Sequence, residues 1–136
     1  MEKISFLINC SNDTLKHLKL LLNSLLSNLK SDEHEIIIFV DSDNEGTFDW
    51  LMTQKPKFKD LKIVTHKVKP CVGYSRNNNL LVEMAKHPIV SYLQSDMVIS
   101  ENYDEDVLRH VKPNMILSST RVEPPLHGTS HEVITK

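Results

Sequence analysis

Hydrophobic positions along this chain change period several times, and each change marks an element. Ile4-Ser-Phe-Leu-Ile8 is a short apolar run with the dimensions of a buried strand. Leucines at 15, 18, 22, 25, 26 and 29 then recur at helical spacing, which predicts an amphipathic helix over 14–29. Glu35-Ile-Ile-Ile-Phe-Val40 is continuously apolar, the pattern of a parallel strand covered on both faces. A short helix is expected over 47–53, with Phe48, Leu51 and Met52 inward, and Pro56 ends it because proline cannot continue a helical ladder. Residues 61–66 alternate weakly and read as a third strand. A loop over 67–74 holds Pro70 and Gly73, and a helix runs from Arg76 or Asn77 to Lys86. The stretch Pro88-Ile-Val-Ser-Tyr-Leu-Gln-Ser-Asp-Met-Val-Ile-Ser100 predicts a buried strand over 89–93 that gives way to Asp96. A helix over 104–111 closed by Pro113, a further strand over 115–119 and an aperiodic tail over 123–131 complete the chain. The alternation of strands and helices predicts an α/β fold in three α/β/α layers, mainly parallel, built through right-handed crossovers as one domain over 1–136.

Composition narrows the classes. With 136 residues, 40% hydrophobic and 25% charged, the chain has the make-up of a globular domain able to bury roughly two-thirds of its surface. A formal charge of −2 argues against a nucleic-acid binder, which carries a basic excess. No apolar run approaches the roughly 20 residues that span a bilayer. The amino terminus reads as a first strand and not as a signal peptide. Cys10 and Cys71 are too few and too far apart for a disulfide framework or a zinc site, so two reduced thiols in a cytoplasmic protein are expected.

In a parallel sheet the ligand crevice lies outside the carboxyl ends of the strands. Asn9–Asn12, Asp41–Asn44, Gly73–Asn79 and Gln94–Met97 are the polar segments expected to converge there. Two acidic strand ends, Asp41-Ser-Asp43 and Asp96, suggest a site for a divalent cation and a charged ligand. Arg76 at a helix start adds a cation beside spare backbone amides, an arrangement that suits phosphate. No Walker loop, dinucleotide glycine pattern or histidine metal motif is present. Of the seven histidines, His17, His34, His66, His87 and His110 fall at positions expected to be exposed. His127 and His131 lie in the tail, within possible reach of a ligand.

Ile4 to Asn12, Glu35-Ile-Ile-Ile-Phe-Val-Asp41-Ser-Asp-Asn-Glu-Gly46, Gly73-Tyr-Ser-Arg-Asn77 and Tyr92-Leu-Gln-Ser-Asp96 stand in an order and spacing that resemble the amino-terminal half of family-2 glycosyltransferases. The resemblance implies the GT-A fold, a Rossmann-like nucleotide-sugar-binding architecture, truncated on its carboxyl-terminal side. It implies that Asn9 and Ser11 meet the nucleobase, that Asp41 with Asp43 beside it binds a base edge, and that Gly73 and Arg76 approach the nucleotide. The DXD segment, which holds a divalent cation against the diphosphate, matches Gln94-Ser95-Asp96, with Asp96 as the surviving metal ligand. A Mn or Mg ion and a nucleotide-diphosphate sugar, a UDP-sugar first, are the implied cofactor and ligand.

The chain departs from the family in four places. The tyrosine usual at the end of the first strand is missing, Asn79 replaces the glycine that follows the family's alanine-arginine-asparagine segment, Gln94 replaces the first DXD aspartate, and Met97 stands where a further carboxylate is common. The family's acceptor site and catalytic base come from sequence well beyond the DXD segment, and Arg121-Val-Glu-Pro-Pro125 reads as the start of such a region. The expected activity is therefore inverting glycosyl transfer if an acceptor and base region completes the site. The alternative is a non-catalytic nucleotide-sugar-binding or interaction module. An exposed sheet edge is expected to favour self-association or a partner chain. A phosphoacceptor receiver domain fits poorly, since Thr120 and Arg121 stand where its lysine is needed.

Overall fold

A computed structural model of the chain describes residues 1–66 and 73–119 in full, and residues 121–123 and 132–134 as backbone. The chain forms two compact units, Met1–Glu105 and Asp106–Lys136.

The first unit alternates strand and helix: β1 (Ile4–Cys10), α1 (Leu15–Asn28), β2 (Glu35–Asp41), α2 (Thr47–Gln54) with a 3-10 turn over Lys55–Lys57, β3 (Leu61–His66), α3 (Tyr74–Met84) and β4 (Ile89–Gln94). The strands pair in parallel in the order β3-β2-β1-β4. Ile4 registers against Ile89, Ser5 against Glu35, and Ile36 against Leu61. From β1 the chain steps twice to one side and then returns to the other. Right-handed crossovers therefore put α1 and α2 on one face and α3 on the opposite face. This is the α/β three-layer arrangement expected from the sequence.

Both central strands are buried along their whole length, which explains why β2 reads as an unbroken apolar run. On the α3 face Leu7, Ile37 and Phe39 pack with Leu81, and Val64, Met84 and Ala85 close the cluster. Leu18, Leu21, Leu22 and Leu25 form the buried stripe of α1. Leu21 belongs to that stripe although the spacing passes over it, while Leu26 is exposed.

Several expectations are corrected. Among the described residues β4 lies at an edge of the sheet and is not fully buried: Leu93 is buried, but Val90 and Tyr92 are exposed. An apolar run in a parallel sheet signals strand type, yet edge position depends on which strand has a neighbour on each side. Met52 points outward while Leu51 is buried, because a helix of eight residues covers the sheet with one narrow stripe. His17, His66 and His87 are half-buried, and His34 is buried. The ring of His34 accepts the Ile4 backbone N–H at Nδ1 (3.0 Å) and meets Asp104 Oδ2 through Nε2 (2.8 Å). A backbone amide only donates, so the ring proton sits on Nε2 and is donated to Asp104.

Asp104 also accepts the backbone amides of Lys30, Ser31 and Glu105, each at 3.0 Å. Burial pushes its carboxyl pKa up, but these bonds and the His34 contact outweigh burial and hold it below the usual range. At the amino ends of the strands Glu35 plays a similar part. It accepts Ser5 Oγ (2.6 Å) and the Lys86 backbone N–H (2.9 Å) and pairs with Lys62. Here too burial raises the pKa and the bonds lower it further.

In α4 (Tyr103–His110), Arg109 pairs with Asp106 at 3.3 Å and the exposed His110 Nδ1 meets the Asp106 carbonyl at 2.8 Å. The strand expected over 115–119 is absent; these residues are irregular and exposed, with Ile116 at 99%. Apolar identity alone does not make a strand without a neighbour to pair with. β5 (Arg121–Glu123) and β6 (Glu132–Ile134) form an antiparallel pair. The loop over 67–72 with Cys71, and the tail over 124–131 with His127 and His131, lie outside the described residues. No described helix is long and apolar enough to cross a membrane.

Candidate functional site

Reversal of strand order places a crevice at the carboxyl ends of β1 and β4. A cleft of about 540 Å³ opens there. Its walls are Asn9, Cys10 and Ser11 from the end of β1, Asp41 from the end of β2, Gly73, Tyr74 and Asn77 from the start of α3, and Gln94, Ser95 and Asp96 from the end of β4. Asp13, Thr14 and His17, at the entry to α1, close the remaining side.

Asp41 is buried in the cleft wall, 4% exposed. Its Oδ2 accepts the Asn77 side-chain amide at 2.9 Å and lies 3.4 Å from the Gly73 N–H. Gly73 has φ +112°, a backbone conformation that L side chains rarely adopt, and it aims this amide at the carboxylate as α3 begins. Asn9 donates its side-chain amide to the Asn78 side-chain oxygen, tying β1 to the same helix turn. Tyr92 Oη donates to the Asn78 carbonyl at 3.2 Å from β4. The first turn of α3 is thus fastened to three strands.

Cys10 faces the cleft but is no nucleophile. Burial, and then the carboxylates of Asp43, Asp41 and Glu45, push its thiol up to about 12, and Sγ donates to the Phe39 carbonyl at 3.4 Å.

Asn9, Ser11, Asp41, Gly73, Gln94, Ser95 and Asp96 are therefore brought together by the fold. Two candidates stand apart from them. Asp43 accepts the backbone amides of Glu45 (3.1 Å), Thr47 (3.0 Å) and Phe48 (2.9 Å), capping α2. Burial pushes its carboxyl up, but those amides prevail and hold it below the normal value. Arg76 is exposed and lines a separate groove with His66, Asn79, Leu80 and Glu83. The buried member of Ser75-Arg76-Asn77 is Asn77. Its spacing to Leu81 and Met84 marks the sheet-facing stripe of α3 and was the signal for it. His17 and Tyr74 also enter the cleft without any local motif, since only the folded arrangement brings helix starts beside strand ends.

The donor chemistry bears on a metal. Among the described residues no group of three His, Cys, Asp or Glu side chains could hold an ion alone. The described lining nevertheless contains the carboxylates of Asp13, Asp41 and Asp96, with no lysine or arginine among the described residues. Such a cleft repels a bare diphosphate, and a cation between carboxylate and phosphate removes the conflict. Exposed Asp96, beside Gln94, fits Mg or Mn, which commonly bind one or two carboxylates together with substrate phosphates and water.

A family profile described as Glycosyl transferase family 2 matches residues 5–123, and the chain belongs to that family. Solved structures agree on the fold. S. aureus TarS 1–349 superposes with a TM-score of 0.70 at 22% identity, covering 79% of this chain and 31% of that one. The same TarS portion in complex with UDP-GlcNAc gives a TM-score of 0.70 at 20% identity, with 91% and 40% covered. Mannosyltransferase PcManGT from Pyrobaculum calidifontis, in complex with GDP-Man and Mn2+, gives 0.64 at 14% identity, with 74% and 29% covered. The present chain therefore spans well under half the length of these structures. Comparison with curated proteins finds no match.

Proposed function

We propose that the cleft binds the nucleotide-diphosphate portion of a sugar donor, a UDP-sugar first, together with a divalent cation. The observation that carries this reading is the convergence of Asn9, Asp41, Asn77 and Asp96 in one crevice whose described lining is acidic and lacks Lys or Arg. Asn9 and Ser11 flank the nucleoside, Asp41 and Gly73 with Asn77 meet the base edge, and Gln94, Ser95 and Asp96 lie toward the diphosphate. Asp96 and the Gln94 amide oxygen would hold Mn or Mg. When bound, that cation neutralises charge on the departing diphosphate. The complexes of TarS with UDP-GlcNAc and of PcManGT with GDP-Man and Mn2+ support this class of ligand and cofactor.

The reaction class is inverting glycosyl transfer, a single displacement at the anomeric carbon, when an acceptor and a base are supplied. This chain's part is to orient the donor and exclude water around the diphosphate; no described residue is assigned as the base. Gln94 at the first DXD position supports a second reading, a module that binds the nucleotide sugar without turning it over. Single-turnover release of sugar from a UDP-sugar, with and without added acceptor glycans, separates the two. Transfer to an acceptor supports the enzyme, whereas tight binding with no transfer to any acceptor supports the module.

A further inference from the structure

We propose, resting on the reading of the cleft as a donor site, that the ring of Tyr74 is the face on which the donor's nucleobase stacks. Asp41 and Asn77 can meet the edge of a base, but a planar base also gains from a flat ring laid against it. The end of β1 brings Asn9, Cys10 and Ser11 to the cleft, and none of them carries a ring. Among the described lining residues the rings are those of Tyr74 and His17. Tyr74 is 56% exposed, and no ring–ring contact among the described residues involves it.

Position selects Tyr74 over His17. Tyr74 opens α3 three residues before Asn77, so the two side chains leave the same side of the helix one turn apart. Asn77 donates to Asp41 Oδ2 at 2.9 Å, which sets Tyr74 one helical turn from the carboxylate assigned to the base edge. Gly73, just before it, turns its N–H toward the same Oδ2 at 3.4 Å. His17 stands instead on α1, which covers the other face of the sheet. The turn that carries Tyr74 is also held in place. The Asn77 backbone N–H donates to the Gly73 carbonyl at 3.1 Å, and Asn78 accepts bonds from Asn9 and from Tyr92. A tyrosine ring with two side-chain torsions, mounted on so fixed a turn, loses little freedom when a base settles on it. All of these residues belong to the first compact unit, so the placement does not depend on the second.

Titration of UDP with Mn²⁺ into the full chain and its Tyr74 variants tests this. Tyr74→Ala should raise the dissociation constant by about tenfold or more, with the circular dichroism spectrum unchanged because the side chain is exposed. Tyr74→Phe should bind UDP as the wild type does, since stacking uses the ring and not the hydroxyl. Tyr74→Trp should bind as well, and its fluorescence should be quenched by UDP beyond any change of the single native tryptophan, Trp50. Wild-type affinity in Tyr74→Ala overturns the inference and leaves the donor site standing. So does a loss in Tyr74→Phe as large as that in Tyr74→Ala, or Tyr74→Trp fluorescence that saturating UDP does not alter. A folded wild type that binds no nucleotide diphosphate overturns the donor site and this inference together.

Discussion

Asn77 donates its side-chain amide to Asp41 Oδ2 at 2.9 Å, so the first turn of α3 is pinned to the carboxyl end of β2. Both residues are buried, and both line the cleft. The contact therefore belongs to the packing and to the cleft wall at once. Asn77→Ala would remove one of the Asp41 donors and leave a buried carboxylate less satisfied, at a cost of roughly 1–3 kcal/mol. Urea unfolding should show that loss, and UDP affinity should fall both with metal and with chelator. Affinity unchanged in a folded variant would separate the bond from the ligand site.

Asp96 is exposed, and among the described residues no hydrogen bond or ion pair holds its carboxylate. Asp96→Ala is expected to leave the urea midpoint where it is. The gain in UDP affinity on adding Mn²⁺ should disappear, so that titrations with metal and with chelator coincide. A preserved metal effect would place the cation on other residues.

Asp43 provides the contrasting case. Its three accepted backbone amides make it the cap of α2, so Asp43→Ala should cost about 0.5–2 kcal/mol in stability. Calorimetric titration should find UDP affinity unaltered at a temperature where the variant is folded. Loss of affinity at preserved stability would return Asp43 to the site.

Stability should also depend on acid in a defined direction. Glu35, Asp43 and Asp104 all have carboxyl pKa values lowered in the fold. Groups shifted this way stabilise the folded state above their unfolded values, and the benefit is lost as pH falls through the folded ones. Urea midpoints should hold steady near neutrality and decline below about pH 4, where unfolded carboxyls take up protons. Asp104→Asn should be less stable at neutral pH and decline less steeply in acid. A pH profile with the wild-type slope would contradict the role of Asp104.

The sequence revealed the parallel architecture because β1 and β2 are buried end to end and leave continuous apolar runs, while the leucine stripe of α1 keeps helical spacing. The ends of β1, β2 and β4 also pointed to Asn9, Asp41 and Asp96, since polar residues that terminate parallel strands converge by topology. What stayed hidden depended on neighbours distant in sequence. His34 is buried because Asp104, seventy positions on, accepts its proton. The backbone amides that Asp43 accepts were not legible, because a capping carboxylate and a binding carboxylate are the same residue type in the same kind of turn. Arg76 drew attention by its charge, yet the helical stripe shared with Leu81 selects Asn77. Val90 and Tyr92 have strand character in either position, so their place on an edge followed only from the strand order.

The most direct test of the account is calorimetric titration of a UDP-sugar into the folded full chain, first with Mn²⁺ and then with excess chelator. The proposed donor site, whose described lining is acidic and without Lys or Arg, predicts saturable binding with Mn²⁺ and a large loss of affinity in chelator. Equal affinity in both conditions would contradict the cation's role. No binding of UDP-, GDP- or other nucleotide-diphosphate sugars would contradict the donor site itself.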